Sequence, residues 1–322
     1  FEVGDQRIST SAVVGIAASE RKYADAEHVV RDASLAAHRA RARGRKRRAV
    51  FQTQMRVEDT RFMTMFSEMN SAVHGTDLHL HYQPIINLED GTLSGFEALM
   101  RWDHPKLGAV SPEKFIPVAE ETGLIVSLGR WVIESACQQV SQWVKRFGQP
   151  LHVSVNLSAK QFGDETLTQH VASVLNDTAL DPELLTLEIT ESVVLDNRAQ
   201  AQSLLAELKT YGVRVSLDDF GTGYSSFSYL HQLPYDTLKI DRSFVARLDH
   251  AEPGQSANEI VHAIIVLAHN LRMNVVAEGV EQLAQAETLR HMWCELGQGF
   301  YFAKPMSAAA TEKLIASRPR WL

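Results

Sequence analysis

The chain is 322 residues long, with 45% hydrophobic and 22% charged residues, ordinary proportions that exclude disordered, collagen-like and fibrous classes. A formal net charge of −7 argues against a general partner role with a nucleic-acid polymer, yet an acidic enzyme takes an anionic substrate where local cations or recruited metal ions offset its field. Two cysteines, Cys137 and Cys294, give no disulfide framework and no zinc spacing, and read as small buried side chains in a reducing cytoplasm. No apolar run reaches the ~18 residues of a membrane helix, and no stretch reads as a signal peptide. The first residue is Phe1, so the expectation is a cytoplasmic domain cut from a longer protein, with space upstream for a membrane anchor or sensor.

Residues 8–17 (ISTSAVVGIA) read as a strand and Ala24–Arg43 as an alanine-rich helix. A basic run follows through Arg39, Arg41, Arg43, Arg45, Lys46, Arg47 and Arg48, broken by Gly44. It lacks interleaved aromatics and reads as a solvated helix end favoured by the helix dipole. Residues 58–74 have amphipathic spacing, with Phe62, Met65, Phe66 and Met69 on one side, and predict a linker helix. The expected division is 1–54, a linker over 55–76, and a main domain over 77–322.

From about residue 77 short β-branched or apolar runs recur at 79–86, 95–102, 152–158, 185–191, 214–219, 237–241, 274–278 and 298–303. Helical stretches at 124–147, 160–177, 197–211, 256–272 and 281–292 separate most of them. Alternation of this kind predicts a largely parallel sheet, and eight strands predict a closed (β/α)8 barrel of the TIM type. One connection departs from the rule. Only six residues, NLEDGT, join Ile86 to Leu93, with Asp90-Gly91 as a turn signal. A parallel crossover needs a dozen or more residues, so the first strand is expected to run antiparallel.

In such a barrel the active site lies at the carboxyl ends of the strands. There the sequence offers Glu97, Asn156, Glu188, Glu191, Asp218, Asp219, Lys239, Asp241, Glu278 and Glu281. A single acid after a strand is commonly a helix cap, and Asp241 and Glu191 fit that role. So many carboxylates on one rim would repel one another unless cations neutralise them, and Arg101 and Lys239 are too few. Hard oxygen donors suit Mg²⁺ or Mn²⁺, and no HExxH or Cys/His cluster favours zinc. The adjacent pair Asp218-Asp219 suggests two ions, suited to activating water and stabilising the leaving oxygen in phosphoryl displacement. Lys239 reads either as the residue that orients or deprotonates that water or as a charge partner of Asp241. The loop Phe220–Ser226 (FGTGYSS) lacks the third glycine of a dinucleotide fingerprint and the Lys-Ser/Thr of a P-loop, and reads as a strand-to-helix turn at the rim.

Taken together these motifs resemble the EAL family of cyclic di-GMP phosphodiesterases. They are Tyr82-Gln83-Pro84, Glu97-Ala98-Leu99 with Arg101 and Trp102, VNLS at 155–158, LEITES at 187–192, DDFGTGYSS at 218–226, LKIDRSF at 238–244, VAEGVE at 276–281 and QGFYFAKP at 298–305. The resemblance spans roughly residues 77–316 in the family's order. It implies a first metal on Glu97, Asn156, Glu188 and Asp218, and a second on Asp218, Asp219 and Glu278. By the same resemblance Lys239 serves the attacking water, Glu191 pins the loop after Asp219, and Glu281 is a further catalytic glutamate near the metals. Gln83, Arg101 and Gln298 are implied to touch guanine or phosphate. The implied reaction opens cyclic di-GMP to linear pGpG in a homodimer. Residues 8–17, Asp25-Ala26-Glu27 and the helix to ARGRKR (42–47) resemble the closing part of a GGDEF diguanylate cyclase domain, with His38 and Arg41 where that family has tyrosine and lysine. The cyclase motif itself is absent from the sequence, so no synthesis is expected. The rival readings are a catalytically silent cyclic di-GMP receptor, a partner-binding module signalling through helix 58–74, and a hydrolase of another phosphodiester.

Overall fold

Eight strands close the larger part of the chain into a barrel: β1 (Leu78–Asn87), β2 (Leu93–His104), β3 (His152–Asn156), β4 (Leu185–Thr190), β5 (Arg214–Phe220), β6 (Thr237–Ile240), β7 (Asn274–Ala277) and β8 (Leu296–Gln298). The computed structural model describes all residues except 1, 4–5, 8–11, 19–22, 24, 43–47, 73–74, 76, 197, 222–229 and 249–256. Two units are distinct, Phe1–Ser71 and Ala72–Leu322. Among the described residues no helix is long and apolar enough to cross a membrane.

From β2 to β8 each strand pairs in parallel with the next. β1 is antiparallel to both β2 and β8, and so closes the ring. The fold is therefore the (β/α)8 barrel with a reversed first strand that the short connection demands. In that connection Asp90 accepts from the backbone N–H of Thr92 at 3.0 Å and from its hydroxyl at 2.7 Å. Gly91 sits at φ +69°, a left-handed conformation that a side chain would strain.

The barrel strands alternate with period two. In β4 Leu185, Leu187 and Ile189 join the hydrophobic core, while Thr186 and Glu188 between them are buried polar residues. The same alternation sets Val215 and Leu217 against Ser216 and Asp218 in β5, and Leu238 and Ile240 against Lys239 in β6. One face of each strand packs on helices and the other points polar groups into the barrel. Helix Leu124–Phe147 buries Trp143 against Tyr82 and Phe96, with ring centroids 4.8 and 5.4 Å apart. Helices Leu167–Thr178, Arg198–Thr210, Ala257–Asn270 and Leu283–His291 follow β3, β4, β6 and β7.

Two of the expected elements are cut short. The strand expected over 298–303 ends at Gln298. The aromatic run after it turns sharply, with Phe302 and Ala303 donating to Gly299 O and Tyr301 to Val280 O. A Cβ on Gly299 would lie 2.1 Å from Val280 O, so the turn depends on glycine there. The helix expected over 160–177 begins only at Leu167. Asp164 accepts from the N–H and hydroxyl of Thr166 at 3.1 and 2.8 Å, a local turn that competes with the helix.

In the first unit Val14–Ile16 pairs in parallel with Arg48–Val50, and helix Ala26–Ala42 makes the crossover. Part of the strand expected over 8–17 and the centre of the basic run, residues 43–47, lie outside the described residues. Ala36, Phe51 and Met55 form the unit's small core. Fully buried Asp32 receives two hydrogen bonds of 2.7 Å from Arg56 on helix Thr53–Ala72.

Candidate active site

Acids from β2, β4, β5 and the end of β7 meet around one lysine. Lys239, on β6 and 1% exposed, places its ammonium 2.6 Å from Glu188 Oε2 of β4 and 2.6 Å from Glu278 Oε1 just after β7. Asp218 Oδ1 of β5 lies at 3.4 Å and Glu97 Oε2 of β2 at 3.8 Å. Burial by itself would push the lysine's pKa down; the carboxylates of Glu188, Glu278, Glu97 and Asp218 outweigh it and hold the ammonium well above its ordinary value. Asp241 is not among these partners. It caps helix Arg242–Val245 by accepting from the N–H of Ser243 at 3.0 Å, so the reading of Lys239 as a charge partner of Asp241 is set aside.

The acids feel the opposite pressure. Burial, with the nearby Glu97 and Asp218 charges, raises the pKa of Glu188 well above its ordinary value despite Lys239. Burial chiefly, and the same neighbours, push Glu278 up to about 7. Asp219 is raised by burial and by Asp218 and Asp241. Asp219 also adopts φ +55°, a left-handed conformation costly for a non-glycine residue and often found at functional sites. Its N–H donates to Asp218 Oδ1 at 2.9 Å.

Asn156, at the end of β3, donates its amide to Glu97 Oε1 at 2.6 Å. Gln298, at the end of β8, donates to Glu97 Oε2 at 2.6 Å and to Gln83 Oε1 at 3.1 Å. Gln83 in turn donates to Ala303 O at 3.4 Å. That carbonyl belongs to the backbone, so no residue type in the sequence could have signalled its part. Half-buried Arg101 lies on the face of β2 that carries Glu97, and its guanidinium donates to Met100 O at 2.9 Å.

The structure thus brings together Gln83, Glu97, Asn156, Glu188, Asp218, Asp219, Lys239, Glu278 and Gln298. Glu281 is exposed, its backbone N–H donates to Gln285 Oε1 at 2.8 Å, and none of the described hydrogen bonds or ion pairs joins its carboxylate to Lys239. Buried Glu191 begins helix Glu191–Asp196. The loop it is expected to pin lies outside the described residues from 222 to 229.

Asp218, Asp219 and Glu278 each offer an oxygen within 4.8 Å of the others, a spacing that suits one metal ion. Four acids, Glu188, Glu278, Asp218 and Glu97, lie 2.6 to 3.8 Å from the single ammonium of Lys239, and Asp219 adds a fifth carboxylate beside Asp218 and Glu278. Burial first, with the neighbouring carboxylates adding to it, raises the pKa values of Glu188, Glu278 and Asp219. An all-oxygen donor set with uncompensated charge fits a hard divalent cation.

Residues 67–305 match the family model for the EAL domain. The chain is 37% identical over 317 residues to the bifunctional diguanylate cyclase/cyclic di-GMP phosphodiesterase MucR of Pseudomonas aeruginosa, covering 98% of this chain and 45% of that protein. It is 39% identical over 305 residues to the cyclic di-GMP phosphodiesterase NbdA of the same organism, covering 95% of this chain and 39% of that protein. The chain therefore spans less than half the length of either relative. The solved PaMucR phosphodiesterase in its c-di-GMP complex superposes with a TM-score of 0.73 at 41% identity, covering 77% of this chain and 99% of that one. Sequence, fold and relatives agree: the chain belongs to the EAL-domain family.

Proposed function

We propose that this chain hydrolyses cyclic di-GMP to linear pGpG with two divalent cations, Mg²⁺ or Mn²⁺. The observation that carries the reading is the convergence of four carboxylates on Lys239, with Asp219 beside two of them, in a chain whose relatives include cyclic di-GMP phosphodiesterases. Glu97, Asn156, Glu188 and Asp218 would hold one cation, and Asp218, Asp219 and Glu278 the other. Such ions, when bound, acidify water and stabilise the leaving oxygen of an in-line displacement.

The chain's own residues complete the chemistry. Lys239 is held as an ammonium, which suits it to donate a hydrogen bond and orient an oxygen nucleophile rather than to take its proton. Arg101, on the same face of β2 as Glu97, supplies the cation suited to a second phosphate of the substrate. Lys239, Glu188, Glu97 and Asp218 are buried, while Asp219 and Asn156 are exposed at the open side of the site. Glu191 and Glu281 enter the proposal only through the family resemblance, as the residue that pins the rim loop and as an additional acid.

We propose further that the domain acts in the cytoplasm as a homodimer, downstream of a sensory or GGDEF domain of which residues 1–54 are the closing part. The βαβ arrangement of Val14–Ile16, Ala26–Ala42 and Arg48–Val50 supports that reading of the first unit. The deciding experiment incubates the chain with cyclic di-GMP and Mg²⁺ or Mn²⁺ and separates the nucleotides by anion exchange. Appearance of pGpG is expected. Tight binding without turnover would replace the enzyme with a receptor, and sedimentation as a monomer would remove the dimer.

A further inference from the structure

We infer that Gln298 and Gln83 are positioning residues that fix the carboxylate of Glu97, the acid proposed above to hold a cation. The inference deepens the proposed function and rests on its reading of the site as a cation-dependent centre. It starts from the different ways in which the acids are held. Glu188 and Glu278 each touch the Lys239 ammonium at 2.6 Å. Glu97 Oε2 stands 3.8 Å from it, beyond hydrogen-bond reach. Two neutral amides hold Glu97 instead: Asn156 on Oε1 and Gln298 on Oε2, both at 2.6 Å. Neutral donors orient a carboxylate without cancelling its charge. Each Glu97 oxygen is thus oriented by one amide donor, and a carboxylate oxygen that accepts one hydrogen bond has a further lone pair to offer a cation.

The direction of the amide chain is set from its far end. Ala303 O is a backbone carbonyl and can only accept, so Gln83 must turn its NH₂ toward it. Gln83 Oε1 is then the face presented to Gln298, which must answer with its own NH₂. The same NH₂ reaches Glu97. A flipped Gln298 would set its carbonyl oxygen against two acceptors, so each step of the chain enforces the next. Burial removes water as a substitute partner, since Gln298 is 4% and Gln83 8% exposed. Partners that orient a metal ligand typically change metal affinity 10- to 100-fold when removed.

The test is calorimetric titration of the metal-free protein with Mn²⁺, alongside kcat and KM for cyclic di-GMP. Gln298→Met keeps the volume and removes the donor; the expected result is Mn²⁺ affinity weaker by about tenfold or more. Gln83→Met leaves the contact to Glu97 intact but frees the Gln298 amide to flip, and a smaller loss in the same direction is expected. Gln298→Asn retains an amide but draws it back by one methylene, so it should also bind Mn²⁺ more weakly. Unchanged Mn²⁺ affinity in Gln298→Met with a raised KM would overturn the inference, make Gln298 a substrate contact, and leave the phosphodiesterase reading standing. Failure of the unaltered protein to bind Mn²⁺ would overturn both. Melting curves of the metal-free variants verify folding, and Gln83→Met, conservative in volume, carries the test if Gln298→Met does not fold.

Discussion

Replacing Glu278 by Gln should stabilise the metal-free protein at alkaline pH and lose that advantage in acid. Burial raises the Glu278 pKa from its ordinary 4.5 to about 7 even though Lys239 lies 2.6 Å away. Its side chain is 19% exposed, so solvent screening is slight. A pKa raised on folding means that the folded state binds the proton more tightly. The associated stability is complete below pH 4.5 and is lost as pH rises through about 7. The shift of about 2.5 pH units corresponds to roughly 3 kcal/mol at ~1.36 kcal/mol per unit. Glutamine imitates the neutral carboxyl and escapes this loss. With roughly 2–4 °C per kcal/mol for a domain of this size, the Tm difference between Glu278→Gln and the unaltered protein should grow by roughly 6–12 °C between pH 5 and pH 8.5. The assay is thermal unfolding by circular dichroism in a chelator across that range. A Tm difference independent of pH would refute the reasoning, because it would mean that Lys239 fully offsets the cost of burying the charge. Saturating Mn²⁺ at pH 8.5 should reverse the order, since the unaltered protein keeps the ligand that the variant has lost.

Three further expectations concern other parts of the structure. Glu97→Ala or Asp218→Asn should abolish turnover together with most of the calorimetric Mn²⁺ signal, and activity retained in either would contradict the ligand assignment. Lys239→Met should lower kcat by about 10²-fold or more with little change in KM; steady-state kinetics showing an effect confined to KM would speak against a part in the chemistry. Trp143→Ala, removing a fully buried indole packed on Tyr82 and Phe96, should cost about 3–5 kcal/mol in urea unfolding while leaving Mn²⁺ affinity intact, and a cost below about 1 kcal/mol would deny that cluster its place in the core.

The architecture was legible wherever a short stretch of chain carries its own constraint. Six residues between Ile86 and Leu93 could only be a hairpin, and Asp90-Gly91 marked it. The acids ending β2, β4, β5 and β7 were legible as a set because strand alternation and barrel topology send them to one rim. What escaped depends on contacts distant in sequence. The GFYF run has the composition of a strand, yet Tyr301 donates to Val280 O across the barrel end. Helix Pro112–Thr122 carries Pro117 within it, a residue that argues against helix on local grounds. Asp241, two residues from Lys239, looked as good an ion-pair partner as any; only the closed barrel shows that Glu188, 51 residues away, takes the lysine. The orientation of Gln298 rests on the carbonyl of Ala303, which no side-chain pattern could announce.

The reversed first strand has a consequence for how the barrel is threaded. A barrel of eight parallel strands admits its polypeptide at the face opposite the site, so whatever precedes the first strand is tethered to the inert end. Here Leu78 stands beside Trp102, at the carboxyl end of β2, and the chain enters at the reactive mouth. Four residues of continuous strand lie between that entrance and Gln83, whose amide bears on Gln298 and through it on Glu97. The first strand thus joins the mouth by one continuous run of backbone to a group two hydrogen bonds from Glu97, without crossing the barrel.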